Sequence, residues 1–163
     1  MAGPRQIVYD ALKKLNIEYE LTDHPAVFTI EEMDNLGITG KGEVVKNLFL
    51  RDDKKRNYYL LVICRQKRAD FLDISTKIDS RRLTLASEDS LYEFMKLSRG
   101  AVTPFGVLND LELKVQVIID DDVFGFERIG VHPNDNAATV WLSPCDLKKV
   151  IENNGNEIKC IKI

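Results

Sequence analysis

Three short stretches of this chain carry residue types that can do chemistry. In VVKNLFL, residues 44–50, Lys46 and Asn47 put two adjacent polar groups into an otherwise apolar run. Burying an unpaired ammonium is costly, so Lys46 either carries its charge along its stem to solvent or faces a polar cleft. In GAVTPFG, residues 100–106, Gly100 and Gly106 admit backbone conformations closed to other residues, and Pro104 fixes the chain between them. Such a loop is either a plain connection or a way of bringing bare amide N–H groups to a ligand carbonyl or phosphate. In GVHPNDN, residues 130–136, His132 sits between Gly130 and Pro133, and imidazole titrates near neutrality. Asn134 and Asn136 either orient that ring, contact a ligand hydroxyl or simply make turns. Lysine, histidine, asparagine and backbone amides suit an undemanding reaction, such as hydrolysis of an activated ester.

Other chemistries lack their residues. No serine lies in a GxSxG elbow, no pair of carboxylates stands out as acid and base, and no GxGxxG or GxxxxGK[ST] pattern occurs. Cys64, Cys145 and Cys160 have no metal-like spacing, and Cys64 in the apolar run YYLLVIC reads as a buried thiol. The second histidine, His24 in TDHPAVF, reads as a structural or pocket-edge residue. Neither a metal site nor a cofactor site is expected.

The elements that must position these stretches follow from periodicity. Apolar residues at 7, 8, 11, 12 and 15 predict a helix over 4–15, IEYEL alternates as a strand over 17–21, and TIEEMDNL reads as a short helix with Thr29 as cap, Glu32 completing a capping box and Gly37 ending it. GITGKGE is a loop. VVKNLFLRDD and NYYLLVICR are neighbouring strands joined by the polar turn DKKRN. Helices are predicted in ADFLDISTKI, in SEDSLYEFMKL with Ser87 as cap, and in SPCDLKKVIE with Pro144 in its first turn. Strands are predicted in RLTLAS, LKVQVIID, ERIGVHP, ATVWLS and EIKCIKI, with SRGAVTPFGVLND as a loop. With no regular βαβ alternation, the fold class is α+β: a mixed, largely antiparallel sheet with flanking helices, in one domain over residues 1–163.

The chain of 163 residues has a net charge of −3, which argues against a generic nucleic-acid binder and against DNA as a partner. The charge is uneven: between Lys41 and Arg82, twelve Lys/Arg stand against six Asp/Glu, whereas the remainder holds eleven basic residues against twenty acidic. That stretch is either solvated charge or a restricted surface for a polyanion. No apolar run is long enough to span a membrane and the N-terminus has no signal-like core, so a cytoplasmic protein is expected.

Four segments, TDHPAVFTIEEM, VVKNLFLRDD, GAVTPFGVLND and GVHPNDNAATV, occur in this order. Together they resemble the YbaK/ProX family of aminoacyl-tRNA deacylases over nearly the whole chain, and the form of GAVTPFGVLND favours its freestanding prolyl-tRNA editing branch. The resemblance implies that family's partly barrel-like editing-domain fold and hydrolysis of alanine mistakenly attached to proline tRNA, the alternatives being cysteine or another small amino acid, or a non-catalytic tRNA-binding module. The implied partners are the alanine-bearing acceptor end and, beyond it, prolyl-tRNA synthetase. By the same resemblance Lys46 holds the phosphate or ribose of the terminal adenosine, with Asn47 beside it. Gly100 and Pro104 match a GxxxP loop that, with Ala101, Val102 and Thr103, grips the aminoacyl carbonyl and shapes the pocket. His132 stands beside the amino-acid end. With such a substrate the residues themselves suggest two further roles: Asn136 would contact it, and Lys41, Arg51, Lys54, Lys55 and Arg56 of the basic stretch would follow the acceptor stem. Whether His132 relays a proton or only positions substrate is open at this point, and the lack of a nearby orienting acid favours positioning.

Overall fold

A computed structural model describes residues 3–37 and 39–163. The elements are α1 (Gln6–Lys14), β1 (Glu20–Asp23), α2 (Ile30–Asn35), β2 (Glu43–Asp52), β3 (Tyr58–Cys64), α3 (Phe71–Ile78), β4 (Leu83–Leu85), α4 (Glu88–Met95), β5 (Val115–Asp120), β6 (Ile129–Val131), β7 (Ala138–Leu142), α5 (Pro144–Asn154) and β8 (Ile158–Ile161). Local chemistry starts the helices where expected. Thr29, Asp70, Ser87 and Ser143 each accept a first-turn N–H of α2, α3, α4 and α5, and Glu32 reaches back to the Phe28 N–H.

Two expectations shift. The first strand is Glu20–Asp23, because Asn16 turns the chain at φ 54 and Ile17 then folds back to cap α1, buried in the core. The 100–110 loop contains a 3-10 helix, Pro104–Asn109, capped by the Thr103 hydroxyl. The GITGKGE loop includes Ile38, outside the described residues; Thr39–Lys41 makes a 3-10 turn.

The strands form one mixed sheet in the order β1-β7-β6-β2-β3-β5-β8, with β4 also on β2. Pairs β1–β7, β6–β7, β2–β3 and β2–β4 are antiparallel, and β2–β6, β3–β5 and β5–β8 are parallel. Among the described residues β1 and β8 do not pair, so the path is open rather than a closed barrel. β3 explains its unbroken apolar run by being covered on both faces. Leu60 and Val62 join a core with Val8 and Leu12 of α1, Met95 of α4 and Ile151 of α5, while Leu61 and Ile63 pack on Ile74 and Ile78 of α3. No helix among the described residues is long and apolar enough to cross a membrane.

The β2–β3 turn is built on Asp52, which is 1% exposed. Its carboxylate accepts the N–H groups of Lys54, Arg56 and Asn57 and the Asn57 amide at 2.9–3.1 Å. Burial alone would raise its pKa, but these hydrogen bonds outweigh it and hold the group below its usual 3.8. A carboxylate depressed in the fold stabilises above its unfolded pKa, and that stabilisation disappears as pH falls through the lower folded value. Asp52→Ala is therefore expected to cost about 2–3 kcal/mol near neutrality, with the gap to wild type closing below pH 3.8; urea unfolding at neutral and acid pH measures both.

Candidate active site

Among the described residues, the outer edge of β2 is covered in two places. β6 pairs with Glu43 and Val44, and β4 with Leu50 to Asp52. Between them the edge is open. The parity of this edge is fixed by the Glu43 N–H donating to Arg128 O and the Ala86 N–H donating to Phe49 O. Odd residues thus turn their main-chain groups outward, so Asn47 presents an N–H and a C=O in the gap. At the same place lies a cleft of about 500 Å³. Val44, Val45, Lys46 and Asn47 form one wall, and Phe28 to Glu31 with Met33, at the start of α2, form another. Gly100 and Val102 close it from the loop after α4, and His132 enters from the loop after β6.

Lys46 is half-buried and its ammonium donates to the Lys67 carbonyl at 2.5 Å. Among the described residues it has no carboxylate partner within ion-pair distance. The Asn47 Oδ1 is buried without a hydrogen-bond partner.

His132 Nδ1 lies 2.9 Å from the Ala138 carbonyl. A carbonyl only accepts, so Nδ1 carries the proton and Nε2 of the neutral ring is an acceptor. Burial pushes the imidazole pKa below its usual 6.5, against the Ala138 bond and with the His24 ring as a further depressing neighbour. His132 is accordingly neutral at pH 7. The His24 ring is 6.3 Å away between centroids and is held at both nitrogens, by Pro25 O and Thr139 Oγ1.

The 100–104 loop is locked against the histidine loop. Thr103, fully buried, donates its hydroxyl to the His132 carbonyl at 2.6 Å. The Ala101 N–H is used on Ser98 O. No acceptor among the described residues takes the N–H of Gly100, Val102 or Thr103. Backbone donors left unpaired beside a cleft are suited to a ligand oxygen.

Known proteins match this chain. Residues 24–150 match the aminoacyl-tRNA editing domain. The chain belongs to that family. Editing removes an amino acid from tRNA by cleaving its ester, so the chain is an aminoacyl-tRNA deacylase. It is 46% identical over 159 residues to the prolyl-tRNA editing protein ProX of Acetoanaerobium sticklandii, covering 98% of this chain and 97% of that one. It is 35% identical to the prolyl-tRNA synthetase associated domain-containing protein 1 of Mus musculus, covering 96% of each. A solved structure proposed to be a trans-editing enzyme for prolyl tRNA synthetase superposes with a TM-score of 0.74 at 19% identity, covering 100% of this chain and 99% of that one, a likeness of fold.

The fold of this editing domain brings Lys46, Asn47, Gly100, Val102 and His132 to one cleft. Other residues singled out from the sequence stand behind it. Ala101 and Pro104 are buried, and Thr103 acts as the clamp between loops. Asn136 spends its amide on the Val27 carbonyl at 2.9 Å, and its own carbonyl takes the Val27 N–H, so it staples the histidine loop to the α2 approach. Gly130 is a strand residue: a Cβ there would come within 2.5 Å of the buried Trp141 ring. The α2 wall, Phe28 to Glu31 with Met33, was missed in the sequence reading, Phe28 most consequentially. Phe28 is 63% exposed yet covers Gly100, and an aromatic just before a capping threonine was the available signal.

The basic stretch is partly neutralised. Lys41 pairs with Glu20, Arg65 with Asp34, Lys67 with Asp120 and Asp122, Lys77 with Asp73 and Arg81 with Asp53. Arg51, Lys54, Lys55 and Arg56 lie at the far end of the hairpin, where β2 ends at Asp52, roughly 20 Å along the strand from Lys46 at about 3.3 Å per residue. They are not part of the cleft.

Proposed function

We propose that this deacylase removes alanine from mischarged proline tRNA. The observation that carries the reading is the composition of the cleft: a cation without a carboxylate partner, unpaired loop amides and a neutral imidazole, set among Ile30, Met33, Val45 and Val102. Apolar walls suit a methyl side chain. The names of the ProX protein and the solved trans-editing structure support proline tRNA as the carrier. Alanine is smaller than proline, so a synthetase cannot exclude it by size, and one methylene yields only about 1–3 kcal/mol of discrimination. A second, smaller site corrects the error.

In this reading Lys46 takes the phosphate of the terminal adenosine and the loop amides of Gly100 and Val102 polarise the ester carbonyl. Water attacks with help from the ribose hydroxyl beside the ester. His132 accepts that hydroxyl at Nε2; its neutral state and single carbonyl partner support holding the ribose over storing a proton. The test is loss of ester from proline tRNA carrying alanine, cysteine, serine or proline. Fast loss of alanine with proline spared is the expected result. Preferential loss of cysteine would reassign the substrate, and no loss from any would leave a binding module.

The exposed cations of the β2–β3 turn contact the acceptor stem in the same reading, beyond the reach of the cleft. Lys54→Glu with Lys55→Glu is expected to raise KM and to flatten the salt dependence, by about 2 in log–log slope for two lost phosphate contacts. An unchanged slope would exclude this surface as the tRNA track.

A further inference from the structure

We propose that Lys67 is a positioning residue for this site: its carbonyl anchors the Lys46 ammonium, and its side chain, clamped by Asp120 and Asp122, fixes that carbonyl and keeps both carboxylates away from Lys46. The proposal rests on the reading that Lys46 contacts substrate.

Lys67 closes the turn after β3, its N–H donating to the Cys64 carbonyl at 3.0 Å. Its carbonyl receives the Lys46 ammonium at 2.5 Å. One of the three ammonium donors is thereby directed at the protein, which sets the direction of the other two. The Lys67 ammonium in turn donates to Asp120 Oδ1 at 3.0 Å, Asp122 Oδ2 at 2.7 Å and the main-chain oxygen of Ile163 at 2.8 Å. Asp120 is the last residue of β5, Asp122 and Ile163 lie just beyond the ends of β5 and β8, and both strands run parallel to β3, so the clamp ties three strands at one end of the sheet. Asp120 is fully buried and also takes the N–H groups of Asp122 and Cys64.

Two lysines side by side divide the work. A buried carboxylate demands a cation, and Lys67 satisfies that demand. Lys46, whose ammonium meets only a carbonyl among the described residues, is left unpaired for a substrate anion. Burial opposes the charge on Lys67, yet Asp122 and Asp120 raise its pKa overall, so the clamp is ionised throughout the physiological range. Lys162 also pairs with Asp122 but has no contact with Asp120 among the described residues, and does not replace Lys67.

The test is a double-mutant cycle on alanyl-tRNA deacylation, with thermal melting of each variant. Lys67→Met is expected to lower kcat/KM by about 10- to 100-fold through misplacement of Lys46. Lys67→Arg is expected to restore most of it. Lys46→Ala/Lys67→Met should be no slower than Lys46→Ala alone, because Lys67 acts only through Lys46. Multiplicative losses, or wild-type activity in Lys67→Met, overturn the proposal. Should Lys67→Met fail to melt cooperatively, Asp122→Asn, partly exposed, loosens the same clamp and enters the same cycle. Full activity of Lys46→Ala would overturn the site reading as well, whereas an inactive Lys46→Ala beside a normal Lys67→Met would sink this inference alone.

Discussion

Lys46→Ala is expected to slow deacylation by about 100- to 1000-fold, the usual cost of deleting one charged or oriented donor from a water-poor site, while leaving the fold intact. The reason is the mismatch between the charge of Lys46 and its partners. It lies on a strand among Val44, Val45 and Leu48, half-buried, with a single carbonyl as its recorded acceptor. A structural lysine in that position would pair with a carboxylate, as Lys67 does two turns of chain away. Among the described residues only the Lys67 carbonyl rewards keeping the charge, and the proposed reading uses that charge in the complex. Loss of the one hydrogen bond costs about 1 kcal/mol of stability, partly offset by relief of a desolvated ammonium. Single-turnover deacylation beside a thermal melt separates the two effects. Activity within threefold of wild type would remove Lys46 from the chemistry.

The elements around this site were legible because their causes are local. Thr29, Asp70 and Ser87 accept hydrogen bonds two or three residues on, and β2 and β3 are joined by a turn whose polar residues are contiguous in the chain. The cleft has no local cause. It exists because β6 and β4, separated by more than forty residues, each cover part of the same edge of β2 and leave Asn47 between them. Residue roles that depend on such long-range contacts were hidden for the same reason. Thr103 and Asn136 look like ligand groups in isolation and become loop staples only when His132 and Val27 arrive beside them. Whether the basic stretch was solvated charge or a restricted surface could not be read locally, because its charge is thinned by Glu20, Asp34, Asp120 and Asp122, which lie outside the stretch. His132 was legible as a candidate, but its neutrality was not, since that follows from burial and from Ala138 six residues later.

Gly100→Ala is expected to cost about tenfold or more in kcat/KM, out of proportion to the single methyl added. Gly100 holds φ +85, where a side chain is strained, by about 1–2 kcal/mol for left-handed backbone. The new Cβ would also lie 2.4 Å from Phe28 Cδ1. Phe28 is exposed enough to swing outward, so the clash itself is relieved cheaply by opening the cleft wall. The backbone strain has no such outlet. It is relieved only by moving the chain at Gly100, whose own N–H and that of Val102, two residues on, are unpaired among the described residues and border the cleft. Thr103 cannot follow freely because its hydroxyl is held by the His132 carbonyl. The strain therefore falls between a fixed clamp and a displaced glycine, on the donors that the proposed reading assigns to the ester carbonyl. Removing the ring in Phe28→Ala/Gly100→Ala distinguishes the two causes. If the clash dominates, the double variant recovers the activity lost by Gly100→Ala; if the backbone dominates, as the open side of Phe28 indicates, it does not.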